Sequence, residues 1–84
     1  MKLITGLRGG MSGVVAEILE QSLGEMVVVR LKAGKILYGR LKGFDEHLNV
    51  VLAETEDITE AENAKKLGLI ILRGDNVVLI LLQG

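Results

Sequence analysis

At 84 residues with no cysteine, the chain is one small domain whose core no disulfide or thiolate metal site reinforces. Ten Lys and Arg against eleven Asp and Glu leave a formal net charge of -1, which excludes a protein that grips phosphates through its overall field. Yet 49% of the residues are apolar, so some apolar surface is expected to be buried against other copies or partners.

The opening MKLITGLRGG shows no sustained period, and residues 1–12 are expected to form a flexible lead to a domain spanning 13–84. Arg8 with Gly9 and Gly10 breaks any signal-peptide core there, and no apolar run approaches the roughly 20 residues that cross a bilayer. The chain therefore reads as soluble and cytoplasmic, without a membrane partner. From Ser12 the pattern changes. Val14 and Ile18, then Val15, Leu19 and Leu23, recur every four residues with Glu17, Glu20 and Gln21 largely between them, which predicts a short amphipathic helix. Ser12 fits its N-cap and Gly24 its termination.

After Gly24 every apolar segment reads as strand. EMVVVRLK alternates, with Val27, Val29 and Leu31 on one face. Ala33 and Gly34 turn the chain into KILYGRLKGF, where Gly39 and Gly43 predict sharp bending of the kind that lets a small barrel curl. HLNVVLAE is the third strand, TEDITEAENAKK an exposed charged loop, and LGLIILR and NVVLILL two further strands meeting at Gly74. One helix followed by five antiparallel strands predicts a strongly bent small barrel. The last two strands are apolar on both faces, which implies pairing or packing across a subunit boundary.

Taken singly, the polar residues invite ordinary explanations. Gly-Asp-Asn between two apolar runs is commonly a turn, Asp45 fits backbone amides in the turn before the third strand, and Tyr38 and Phe44 fit packing. The lone His47 has no cysteine nucleophile, metal-ligand partners or serine companion, and no phosphate-loop or cofactor motif is present. Neither enzymatic activity nor a cofactor is expected.

Two segments taken together say more. LYGRLKGFDEHLNVVL followed by LGLIILRGDNVVLI resembles the two motifs of the Sm and Sm-like RNA-binding family, with the likeness running from Val14 to Leu82. Gly39 matches the bent-strand glycine, Phe44, Asp45, Leu48 and Asn49 the first motif, and Leu72, Arg73 and Gly74 the second. The resemblance implies a helix-capped bent barrel whose fourth strand pairs with the fifth strand of a neighbour in a ring. Archaeal single-type rings are similar to heptamers. The bacterial relative's Tyr-Lys-His pattern is absent, and a place in a mixed eukaryotic ring stays open.

The partner so implied is uridine-rich single-stranded RNA in the lumen of a homo-oligomer, with RNA processing or ribonucleoprotein assembly as the role. One Phe and one Tyr make no aromatic platform, so stacking falls to His47 and the planar guanidinium of Arg73, which match the family's stacking positions. If His47 and Asn49 lie in a strand they share a face, and the Asn49 amide can meet the N3–H and O4 of uracil. Asp75 is expected to fix the amide's orientation, and the backbone N–H near Gly74 to reach the remaining base oxygen. The competing reading is a ring that recruits protein partners and uses these residues only structurally.

Overall fold

A computed structural model of the chain describes residues 13–83 in full and residues 2–5 as backbone. The elements in order are β1 (Lys2–Thr5), α1 (Gly13–Gln21), β2 (Met26–Leu31), β3 (Ile36–Phe44), β4 (Val50–Asp57), β5 (Lys65–Leu72) and β6 (Val77–Leu82), with single 3-10 turns at Ala61–Asn63 and Gly74–Asn76. All strands belong to one antiparallel sheet in the order β1-β6-β2-β3-β4-β5.

Alternation in the sequence builds the core. Val27 and Val29 of β2, Leu41 of β3, Val50 and Leu52 of β4, and Ile80 and Leu82 of β6 all point inward, and α1 adds Leu19. The register of β3 against β4 slips between Tyr38 and Arg40 and again between Leu41 and Gly43, so the bends fall at the two glycines that predict them. At Gly39 a Cβ would stand 2.8 Å from Thr55 Oγ1 and 3.2 Å from Leu52 Cβ, so a side chain there would press the two strands apart. The helix exit is tied to the same strand. Gly24, at φ +86, donates from its N–H to Leu41 O at 2.8 Å, and Arg40 reaches back with Nη1 to Gly24 O at 2.7 Å while its Nε meets Glu54 Oε2 at 2.6 Å. That ion pair raises the Arg40 pKa and lowers that of Glu54.

Two expectations need correcting. β4 starts at Val50, so His47 and Asn49 lie in the turn before it and not in a strand. The charged stretch is sheet at both ends and loop only between them: β4 runs on to Asp57 and β5 begins at Lys65, with Glu56 opposite Lys66 and Asp57 opposite Lys65, and opposite charges across a ladder favour pairing. Within the segment expected to lead into the domain, Lys2–Thr5 form a strand paired along the outer edge of β6. Residues 6–12, with the Ser12 cap, lie outside the described residues. Strands β5 and β6, which meet at Gly74, sit far apart in the sheet order and do not pair.

A hydrogen-bonded knot holds the short loop after β4. Asp57 accepts from Thr59 N at 3.0 Å, Thr59 Oγ1 at 2.5 Å and Lys35 Nζ at 3.1 Å, while Thr59 Oγ1 accepts from Ile36 N. The Thr59 hydroxyl, then its backbone N–H, then Lys35 lower the Asp57 pKa to about 2. A depressed carboxylate stabilises the fold above its unfolded pKa and stops doing so as pH falls through its folded one. The stability deficit of Asp57→Asn relative to the parent, from urea midpoints, should therefore be constant above roughly pH 4 and vanish toward about pH 2. Thr55 Oγ1 is buried without a hydrogen-bond partner. Thr55→Val should accordingly raise stability by about 1 kcal/mol in the same assay.

Candidate nucleic-acid interface

The two motifs meet because of one register. Val50 at the start of β4 pairs with Leu72 at the end of β5, so the residue before Val50 and the residue after Leu72 emerge side by side. Asn49 and Arg73 are those residues. The loops that carry them, residues 45–49 and 73–76, are thereby set against each other.

The first loop is wound around Asp45. Its Oδ1 accepts from His47 N and Asn49 N, both at 2.9 Å, and its Oδ2 accepts from Asn49 Nδ2 at 2.8 Å. The backbone closes the same turn through Asp45 N to Asn49 O at 3.1 Å and Leu48 N to Asp45 O at 3.0 Å. Leu48 is forced to φ +60, a left-handed geometry that costs a non-glycine residue about 1–3 kcal/mol. Burial of its side chain in the core offsets that cost. The Asn49 side chain, then the Asn49 and His47 backbone N–H groups, hold the Asp45 carboxyl below the usual carboxylate range.

Across the gap, Gly74 N donates to Asn49 Oδ1 at 2.8 Å. Only glycine fits, because a Cβ at this position would collide with the carbonyl oxygen of His47. The Asn49 amide is thus gripped from both ends, its NH2 by a carboxylate that only accepts and its oxygen by an N–H that only donates. A flipped amide would oppose like with like on both sides. One Nδ2 hydrogen and one Oδ1 lone pair remain for an incoming ligand, with fixed identity.

Asp45, and not Asp75, orients Asn49. Asp75 instead faces Arg73, with Oδ1 at 3.7 Å from Nε. The Gly74 N–H itself donates to Asn49 Oδ1. His47 and Arg73 are exposed, their side chains 71% and 78% accessible, His47 lying two residues before Asn49 and Arg73 directly before Gly74. The structure therefore joins Asn49, Gly74 and the His47 backbone directly and pairs Arg73 with Asp75. The sequence does hold a signal for Asp45, since an aspartate two residues before an amide donor and four before another is suited to cap its own turn.

A family model described as the LSM domain matches residues 17–82, and the chain belongs to that family. Its relatives include the Sm-like snRNP protein of Pyrococcus horikoshii, 48% identical over 76% of this chain and 85% of that one. Among solved structures it is similar to the SmAP1 heptamer of P. aerophilum, with a TM-score of 0.80 at 31% identity over 88% of this chain and 99% of that one. It is also similar to the Pyrococcus abyssi Sm protein in complex with a uridine heptamer, with a TM-score of 0.75 at 46% identity over 81% and 96%.

The grip on Asn49 has an electrostatic consequence that can be measured. Replacing its amide by a carboxylate in Asn49→Asp sets two acids in contact, which raises a folded-state pKa. A raised carboxylate pKa stabilises below the unfolded value and loses that contribution as pH rises. Urea midpoints of Asn49→Asp should thus fall between roughly pH 4 and pH 7, whereas Asp45 in the parent gives no loss over that range.

Proposed function

We propose that the chain forms a homo-heptameric ring that binds uridine-rich single-stranded RNA in its lumen, one base per subunit. It would act in the cytoplasm in RNA processing or ribonucleoprotein assembly, by binding and not by catalysis. The observation that carries this reading is the fixed amide of Asn49, and the likeness to a protein solved with a uridine heptamer supports it.

The free Oδ1 lone pair of Asn49 accepts from uracil N3–H, and the free Nδ2 hydrogen donates to the adjoining base carbonyl. Cytosine presents an acceptor at N3 and a donor at N4, the reverse pair. A free amide would simply flip to suit it. Held by Asp45 and Gly74, this one cannot flip without losing two hydrogen bonds, one of them charge-assisted. His47 and Arg73 stack on the two faces of the base. Asp75, paired with Arg73, steadies the guanidinium plane. Because recognition goes through base edges and faces in a chain of net charge -1, the salt dependence is shallow compared with that of a phosphate-gripping protein.

Closure of the ring uses the ends of the sheet. β5 has a partner on one side only and exposes Leu69 and Ile71 at 72% and 73% accessibility, a long apolar edge suited to a second copy. The complementary edge is that of β6.

Anisotropy titrations of oligo-U and oligo-C at two salt concentrations test the proposal. Oligo-U should bind in preference, by roughly tenfold or more, as expected for a charge-assisted hydrogen bond of about 1.5–3 kcal/mol. Asp45→Asn should erase the preference, Asp75→Asn should keep it, and His47→Ala should weaken both oligomers with the ring intact. Absence of binding to either oligomer would favour a scaffold that recruits proteins.

A further inference from the structure

β6 is hydrogen-bonded to β2 along one side and to β1 along the other, in the register Lys2 opposite Leu82 through Thr5 opposite Leu79. A strand has two hydrogen-bonding edges, and with β1 in place both edges of β6 are taken over this length. β5, at the far end of the sheet, is satisfied on one side only. Resting on the ring reading above, closure through β5 of one subunit and β6 of the next cannot occur while β1 stays where it is.

We propose that Lys2–Thr5 are a strap that occupies the β6 edge of the lone subunit and is displaced by β5 of a second copy of this chain as the ring closes. Assembly is then a strand exchange. The two competitors differ in kind. The strap is four residues long but belongs to the same chain, so it acts at an effective concentration of about millimolar order. Strand β5 arrives from another molecule, yet it is eight residues long and brings the exposed Leu67, Leu69 and Ile71 out of water on pairing. The strap therefore holds when subunits are scarce and yields when they are abundant. While it holds, it caps an apolar edge that would otherwise be open to pairing with any exposed strand.

The absence of cysteine from the chain makes a clean test available. Residues directly opposite in an antiparallel pair have Cα atoms about 4.5–5.5 Å apart, within the range that a disulfide spans. Leu3→Cys with Leu81→Cys, and independently Thr5→Cys with Leu79→Cys, would lock β1 onto β6. Native mass spectrometry of each pair should show rings under reducing conditions and single subunits when oxidised. A chain lacking residues 1–10 should form rings at a subunit concentration lower by roughly tenfold or more. Oxidised proteins that assemble at the same concentration as the reduced ones, or a truncation that leaves the threshold unchanged, would overturn the strap. Failure of the truncated chain to assemble at any concentration would contradict the ring reading itself, and the strap with it.

Discussion

The side-chain amide of Asn49 is the point on which the rest of the site turns. It is held at 2.8 Å by the Asp45 carboxylate on one side and at 2.8 Å by the Gly74 N–H on the other, and these bonds join two segments 25 residues apart in the chain. Either bond alone would leave some freedom to rotate or flip. Both together fix which end donates and which accepts, before any ligand arrives. Preorganisation of this kind removes an ordering cost from binding and turns a chemically ambivalent side chain into a discriminating one.

The fold serves that constraint at several levels. The pairing of Val50 with Leu72 brings the loops together, the bends at Gly39 and Gly43 curl the sheet that carries them, and Leu48, buried in the core, pins the Asp45 turn in its left-handed geometry. Gly74 meets the His47 carbonyl so closely that no other residue could complete the contact. Conformational strain and steric exclusion, usually read as liabilities, here leave the loops with one arrangement. The same sheet ends in β5, which exposes an apolar edge, and in β1, which covers the edge of β6.

Much of this was legible in the sequence. Alternation in EMVVVRLK and the four-residue spacing from Val14 to Leu23 identify strand and helix because burial dictates those periods. Gly39 in KILYGRLKGF forecasts a bend because a Cβ there would press on Thr55 and Leu52 of the paired strand, and the second register slip falls at Gly43. That Asp45 would bond backbone amides before the third strand was legible, but how far its turn extends was not. Asp45 captures two amides and keeps His47 through Asn49 out of the strand that their composition favours. Lys65 and Lys66 continue the ladder into a stretch that looks too polar for sheet, where they stand opposite Asp57 and Glu56. The choice between Asp45 and Asp75 as the partner of Asn49 depends on a turn geometry that spacing alone does not fix. Strand β1 is too short for any period to show, and it is paired only because the β6 edge is there to receive it.

Amide hydrogen exchange at Gly74 in the RNA-free protein tests the central claim most directly. If the Asn49 oxygen holds that N–H in advance of ligand, Gly74 should be protected, although it sits in a short loop turn, and protection should disappear in Asn49→Ala while the amides of β2 keep theirs. Exchange of Gly74 in the parent at the rate of an unstructured loop would contradict the claim.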